Sequence, residues 1–439
     1  MHAKQYTNVS IPLFSKGGQG PSNEKGMVLV VGLMLIVVLS LLGTTAVLTS
    51  TTDMKISANY KTSKQAFYAA EAGIEEARAR LKANADMSIV ITDSQPLNAN
   101  WRAYIGVVAK AQAKGYDSSQ HGFYPGLQST LDYTVKIKHR TNAGGQVLYW
   151  GDVDSNGRYE RTTNRVSPTG FTNPNIYLVT SYGTTAGSNK TIESEITRFP
   201  PLTVPAALYV EAATDILGNA SIFGVDQCGG ADVPGIKTTL SLNSVDDSKN
   251  PGSLITGSTS PTGNPSDIAP FATDMDIQAM IDSQKGSANF TYNVASATHS
   301  GTAIPGPGDG WGTPVPGASN DKASSCDVRN IVYYNTSNGN NLTDIKLTNS
   351  SGCGILLVEG DLDVNGGFNW YGLVIVSGSV KYTGGGQDSK NITGGVLAGG
   401  SATADVVGGN TNIVYCSTAL TKQTENQPLR CLSWNEQNI

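Results

Sequence analysis

Residues 354–384 read GILLVEGDLDVNGGFNWYGLVIVSGSVKYTG, with glycine at every sixth position: Gly354, Gly360, Gly366, Gly372, Gly378 and Gly384. Two residues after successive glycines come Leu356, Leu362, Phe368, Val374 and Val380. Four residues after come Val358, Val364, Trp370, Val376 and Tyr382. Positions two apart on a strand share one face. Each hexad is therefore a short strand with an inward apolar pair and a glycine turn. Such a unit cannot bury its face alone, and stacking many of them gives a β-solenoid. The pattern resumes at residues 392–398 and 411–415. Residues 207–224, with Gly218 and Gly224 again six apart, read as an earlier rung. A Gly-rich antiparallel sandwich shares this period, because period alone does not fix strand direction.

Working outward, the segment between Cys228 and Cys326 is rich in Ser, Gly, Pro and Asn, above all at 258–265 and 302–318. It is expected to be a loop-rich insertion with one short helix over 274–284. Upstream, residues 84–201 read as a small α/β unit. LDYTVKIK at 131–138 alternates with period two, as a half-buried strand should, and 147–150, 175–180 and 191–197 are further strands. Pro200, Pro201 and Pro205 mark a boundary, because proline cannot donate to a ladder.

At the other end of the chain, Lys25-Gly26-Met27 precedes VLVVGLMLIVVLSLLGTTAVL at 28–48, a run without a charged residue. It is long enough to cross a bilayer as one helix. A secretory signal would have a shorter apolar core and an A-x-A-like cleavage site. A plain single-span anchor satisfies the same composition. From Met27 to about Ala85 the chain has no proline and is expected to form one helix, roughly 85–90 Å long. Its second half carries an apolar stripe at Tyr60, Phe67, Ile74 and Leu81, with Ala70 and Ala77 between.

The junction adds more. A glycine directly before an apolar helix that continues into an amphipathic one looks like a type IV prepilin peptidase site, with cleavage between Gly26 and Met27. Residues 59–81 read NYKTSKQAFYAAEAGIEEARARL. With the apolar run before it, this resembles the N-terminal region of the PilX family of type IV pilus assembly proteins, in which an AAEAG-type segment follows at about this distance. Major pilins carry Glu at the fifth residue after the cleaved glycine; here that residue is Val31. The resemblance implies a minor subunit. Type II secretion tip pseudopilins also include members without that Glu, so they are the alternative class. Glu71, Glu75 and Glu76 lie in or beside the motif and are expected on the polar helix face.

The chain has 439 residues, 15% of them charged, with 50 glycines and a formal net charge of −5. That suits extracellular β-structure and gives no reason to expect nucleic-acid binding, which needs a basic patch. Five cysteines, Cys228, Cys326, Cys353, Cys416 and Cys431, all follow the apolar run, and none forms C-x-x-C. Outside the cytoplasm they are free to form disulfides. Cys416 with Cys431, and Cys326 with Cys353, would close two small loops and leave Cys228 over, though other pairings are open on sequence alone. Lys4, Lys16 and Lys25 before the span balance Lys55, Lys61 and Lys64 after it, so charge does not set orientation. The short leader and distal cysteines place the N-terminus in the cytoplasm.

One stretch points to a ligand. Asp152-Val-Asp154-Ser-Asn156-Gly157 matches D-x-D-x-N-G, the opening of an EF-hand-like calcium loop, whose oxygens converge while the glycine permits a sharp bend. Position twelve is Thr163 rather than Glu, and Glu160 is the nearby substitute. A hairpin turn built on Asn156-Gly157 is the simpler account. The histidines His2, His121, His139 and His299 are scattered, and no G-x-S-x-G, H-E-x-x-H or Walker loop is present. Asp361 and Asp363 alternate with the inward pair and are expected to face solvent, so no catalytic residue is assigned.

The expected fold class is α+β: a leader over 1–26, a transmembrane and amphipathic pilin helix over 27–85, and a pilin-like α/β domain over 86–203. First solenoid rungs at 204–235, a loop-rich insertion at 236–326, and a β-solenoid with its tail at 327–439 complete it. The expected function is non-enzymatic: a minor pilin at the bacterial inner membrane and in the extracellular pilus, priming or capping the filament tip. Its partners are other minor and major pilins and the inner-membrane assembly machinery. The alternatives are a pilus-borne adhesin with a surface or glycan ligand, and a type II secretion tip pseudopilin. Genome neighbourhood separates them.

Overall fold

The computed structural model describes residues 24–82, 90–127, 132–168, 172–199, 202, 204–249, 254–272, 274–293, 297–300, 311–316, 323–336, 344–383, 390–400, 404–421 and 429–437. Most of the expected leader, the helix end expected near Ala85, Pro200, Pro201, Gly384 and much of 302–318 lie outside the described residues. The chain divides into two units, residues 1–65 with 186–188, and residues 66–185 with 189–439.

Helix α1 (Glu24–Leu81) begins in the first unit and ends in the second. Its apolar side chains from Met27 to Leu48 are exposed. The threonine hydroxyls along this stretch are satisfied within the helix, as an apolar solvent requires. Thr44 Oγ1 donates to the Ser40 carbonyl at 2.5 Å and Thr45 Oγ1 to that of Leu41 at 3.0 Å. Further down, Thr49 and Thr52 repeat the bond one turn back.

In the second unit, residues 66–81 of α1 lie against a sheet. Its strands are β1 (Arg102–Gly106), β2 (Gly122–Pro125), β3 (Tyr133–His139), β6 (Ile176–Thr185) and β7 (Ser188–Thr197). A short helix α2 (Val108–Gln112) joins β1 to β2, and a small hairpin of β4 (Tyr149–Gly151) and β5 (Glu160–Thr162) stands apart. The apolar stripe does what its spacing predicts: Ala70, Ile74, Ala77 and Leu81 are buried with Ile105, Val135, Ile137, Val179 and Ile192. The small residues of the AAEAG segment have a geometric reason. Gly73 faces Ser181 and Val135 so closely that a Cβ would stand 2.3 Å from Ser181 Oγ. Across the contact, a Cβ on Gly183 would stand 2.0 Å from the Ala66 carbonyl oxygen. Helix and sheet therefore meet almost backbone to backbone.

The sheet order is β2–β1–β3–β6–β7 and then Arg430–Gln437, the last strand of the chain, antiparallel to β7. This corrects the reading of 327–439 as solenoid plus tail. The chain leaves the sheet after β7, builds the solenoid and returns to finish the sheet.

The solenoid strands pair in parallel throughout. In the hexad region a coil takes three hexads, so that Gly354 pairs with Gly372, Leu356 with Val374 and Leu362 with Val380. All ten residues expected inward, from Leu356 to Tyr382, are at most 1% exposed. The corner glycines are obligatory: Gly354 has φ 112°, and a Cβ there would lie 1.9 Å from the Asn330 carbonyl oxygen.

The expected loop-rich insertion over 236–326 is itself part of the stack. Ile236–Thr238, Val245–Asp246 and Leu254–Thr256 form a coil on 208–223, and Phe290–Asn293 and Ala297–Ser300 pair with the strands at 330–335 and 344–348. Its loops hid three-residue strands too short to show a period. Helix α3 (Ile277–Lys285) links the two sets, its Ile277, Met280 and Ile281 buried in the solenoid core cluster. Stacking order is therefore not chain order. The coil 396–415 sits directly on the coil 208–223 through Val396 with Leu208, Asp405 with Thr214 and Asn412 with Ser221.

Candidate functional site

The D-x-D-x-N-G loop closes the β4–β5 hairpin. Asp152 is buried, and its Oδ1 accepts the Asn156 amide at 3.1 Å while Oδ2 accepts that of Gly157 at 2.9 Å. Asp154 Oδ1 accepts the same Asn156 amide at 3.3 Å, and Asn156 Oδ1 accepts that of Arg158 at 2.7 Å. Ser155 at φ 62° and Gly157 at φ 83° turn the backbone so that these amides point inward. Asp152, Asp154 and Asn156 are thus brought together, as their spacing predicts. Glu160 lies on β5 opposite Gly151, exposed.

The loop also docks on the solenoid. The Asn156 carbonyl accepts the Asp276 amide at 2.6 Å, and Arg158 Nε donates to Asp276 Oδ2 at 2.6 Å. Asp276 is the N-cap of α3, accepting the Ala279 amide at 2.7 Å. Gly157 has Met280 directly over it, 2.8 Å from where a Cβ would be. One carboxylate therefore caps the solenoid helix and pairs with the β4–β5 hairpin.

Beside this contact is a cleft of about 710 Å³, lined among others by Asn156, Arg158, Glu211, Asp274, Asp276 and Glu359. Burial pushes the Glu211 carboxyl up to about 7, against the Tyr209 hydroxyl bonded to it at 2.8 Å; Asp274 and Asp276 add to the rise. Glu359 accepts Gln278 Nε2 at 2.7 Å. The cleft is acidic, and sequence reading missed it because its residues come from six separate segments.

Two disulfides are present, Cys326–Cys353 and Cys228–Cys416, and Cys431 is free and exposed. Pairing of Cys416 with Cys431 is overturned. Cys416 ends the coil 396–415 and meets Cys228, which follows the coil stacked beneath it, whereas Cys431 is carried away on the last strand of the helix-packed sheet. The aspartates expected to face solvent do not: Asp361 is half-buried and accepts the Ser379 amide of the next coil at 2.8 Å, and Asp363 is buried and accepts Asn365 Nδ2 at 3.0 Å. His139 is a satisfied core residue, bonded to the Asn98 carbonyl at 2.8 Å and to Asp93 at 2.9 Å and stacked on Trp101. Glu76 is not on the polar helix face. It is buried, paired with buried Arg80 at 2.6 Å and bonded to the Tyr133 hydroxyl.

An apolar helix long enough to span a membrane, continuing into a segment packed on a mostly antiparallel sheet, is a pilin-like α+β architecture. Residues 25–75 match the model of the family described as PilX N-terminal. No curated protein matches the chain. Among solved structures, it is similar to the competence-associated pilin ComZ from Thermus thermophilus, at 11% identity over 86% of this chain and 97% of that one, with a TM-score of 0.21.

Proposed function

We propose that the chain is a minor pilin of type IV pilus assembly, held in the inner membrane with its N-terminus in the cytoplasm, cut between Gly26 and Met27, and placed at the filament tip to prime or cap assembly. The observation that carries this is the PilX N-terminal match over a helix whose run 28–48 is uncharged, with Val31 at the fifth mature position. A subunit whose sheet carries a whole solenoid between its last two strands is also bulky, which suits an end position with no subunit above it. Its partners are then other pilins and the assembly machinery, and its role is structural rather than enzymatic. Deleting the gene should sharply lower the number of surface pili, and gold-labelled protein should mark filament ends. Normal piliation, or label spread evenly along filaments, overturns the reading. Terminal sequencing of pilus-associated protein should begin at Met27; an intact Met1 overturns the cleavage site.

Calcium at Asp152, Asp154 and Asn156 is the second part of the proposal. It is supported by the convergence of these oxygens around inward-turned amides. Bound there, calcium would stiffen the loop that clamps the pilin hairpin to α3. A pilus-borne adhesin is the competing reading, favoured by the acidic cleft beside the same loop; a glycan array with the purified chain tests it, and cationic amino sugars are the expected class.

A further inference from the structure

The helix-packed sheet gathers three cations on the face turned away from α1. Ile105, Val135 and Ile137 are buried with α1, so Arg102 and Tyr104 on β1, and Lys136 and Lys138 on β3, belong to the other face. Arg102 stands directly opposite Lys138 in the antiparallel ladder, and Tyr104 opposite Lys136. The three cationic side chains are half-buried. Like charges directly opposite one another destabilise a sheet. Here no ion pair offsets them: among the described residues none of the three meets a carboxylate. The acids of this region are engaged elsewhere. Asp132 pairs with Lys110, Glu195 with Arg140 and Arg161, and Asp117 accepts the Ser119 amide at 2.9 Å and its hydroxyl at 2.8 Å. Glu193 stands on β7, with β6 between it and β3.

The patch is positioned and has a fourth donor at its border. Arg102 Nη1 donates to the Ala99 and Trp101 carbonyls, both at 2.9 Å, which leaves the rest of the guanidinium unused. The Asp117 amide donates to His121 Nδ1 at 3.0 Å, so the ring is held as the neutral tautomer with its proton on Nε2. That ring leans on Tyr104, centroids 5.5 Å apart, and its Nε2–H has no hydrogen-bond partner among the described residues. Burial pushes the His121 imidazole below its ordinary range; Arg102 and Lys136 add to the fall and Asp117 opposes it. Burial also pushes the Lys136 ammonium down, and the charges of Arg102 and Lys138 add to that. The four groups therefore feel one another as one uncompensated positive cluster.

We propose that Arg102, Lys136, Lys138 and His121 form a site for one tetrahedral oxyanion group, phosphate or sulfate, either free or carried as an ester by a ligand. Size sets the class. Opposed side chains on neighbouring strands have Cβ atoms about 5 Å apart, and positions two apart on one strand lie about 7 Å apart. That is room for a single group with several oxygens and not a track for a polymer. The planar guanidinium offers paired donors to such oxygens, and the two ammoniums and the imidazole N–H supply the rest. The bound anion supplies the negative charge that this face of the sheet lacks.

Calorimetric titration of the full-length chain in an uncharged detergent tests this. The probes are inorganic phosphate, inorganic sulfate, methyl phosphate and methyl sulfate, each against sodium chloride at the same ionic strength. Saturable binding of the oxyanions and none of chloride is expected. The His121 titration midpoint, read by NMR on isotope-labelled histidine and assigned with His121→Gln, should rise on saturation, because a neighbouring anion favours the charged ring. Tighter binding of the inorganic ions makes this an ion site, and tighter binding of the esters makes it a site for a ligand's charged end; both support the proposal. Arg102→Met and Lys138→Met should each weaken binding about tenfold. Without any anion, Lys138→Met should melt no lower than the wild type, since it removes one of two opposed charges. A lower midpoint for that variant would make the cations part of the fold and overturn the proposal, as would a response to chloride equal to that of the oxyanions. A single-stranded oligonucleotide without a terminal phosphate that binds more tightly than either ester overturns the single-group site in favour of a polymer.

Discussion

Glu76 and Arg80, one turn apart on α1, form an ion pair with both side chains less than a tenth exposed, 2.6 Å apart. Each is tied to the sheet side: Glu76 accepts the Leu127 amide at 3.1 Å and the Tyr133 hydroxyl, and Arg80 Nη2 donates to the Pro125 carbonyl at 2.5 Å. The pair therefore fixes the register of α1 against β2 and β3 through polar contacts, where Gly73 and Gly183 fix its distance.

Removing one partner strands the other as a buried charge. Glu76→Ala or Arg80→Ala should each cost about 3–5 kcal/mol in chemical denaturation. The double change Glu76→Leu/Arg80→Met should cost less than either, because it leaves no unpaired charge. Additive losses in the double variant would show that the two groups act independently.

The inward face of the solenoid makes a second prediction. Val374 is fully buried and Lys381 exposed, although both lie on coil strands a few residues apart. Val374→Asp puts a carboxylate into an apolar lumen without a partner and should cost several kcal/mol. Lys381→Asp should change stability by roughly 0.5 kcal/mol or less. Equal thermal midpoints for the two variants would mean the faces are assigned the wrong way round.

Much of this fold is legible in residues, and the illegible parts share one cause. The hexads announce coils because glycine and an apolar pair repeat at fixed offsets, so Leu356 to Tyr382 fall inward as the spacing predicts. The AAEAG segment announces a close helix contact because only small side chains allow it. What the sequence conceals is non-local. Nothing near residue 208 shows that 396–415 will stack upon it, and so Cys416 looks closer to Cys431 than to Cys228. Arg430–Gln437 carries no clean alternation, since it is an edge strand with Trp434 half exposed against Phe67. Glu76 looks like a surface residue until β2 and β3 are laid beside it. Asp276, which joins the loop of the candidate site to the solenoid, reads as one acid among several in a linker.

Calcium gives a third prediction. If Asp152, Asp154 and Asn156 hold the ion, only the folded form binds it, and stability rises as RT ln(1 + [L]/Kd). The midpoint of thermal unfolding should be higher in millimolar calcium than in chelator, by roughly 1 °C for each 1 kcal/mol of stabilisation in a chain of this length. Asp152→Ala/Asp154→Ala should erase the difference. Identical midpoints for the wild type in both buffers would leave the loop as a hairpin turn.

Asp405 carries the last prediction. It pairs in register with buried Thr214 and is itself fully buried, with Oδ1 accepting the Val380 amide at 2.8 Å and Oδ2 without a hydrogen-bond partner among the described residues. Burial pushes its carboxyl up to about 7 against the pull of the Val380 amide, and the charges of Asp361 and Glu211 add to the rise. Tyr382, from the neighbouring coil, faces it and is itself pushed up by burial and by the Asp405 charge. The folded state therefore holds a proton that the unfolded chain releases near 3.8. Stability from this group is complete below about pH 4 and is lost as pH rises through about 7, with a ceiling near 4 kcal/mol at 1.36 kcal/mol per pH unit of separation. Asp405→Asn keeps an oxygen for Val380 and removes the titration. The variant should gain on the wild type between about pH 4 and pH 7, with the difference levelling off above that. Glu211 titrates with the same sign, so a smaller slope should persist in Asp405→Asn and vanish in Asp405→Asn/Glu211→Gln. Parallel pH–stability curves for wild type and Asp405→Asn would show that the Asp405 carboxylate is already ionised in the folded lumen at acidic pH.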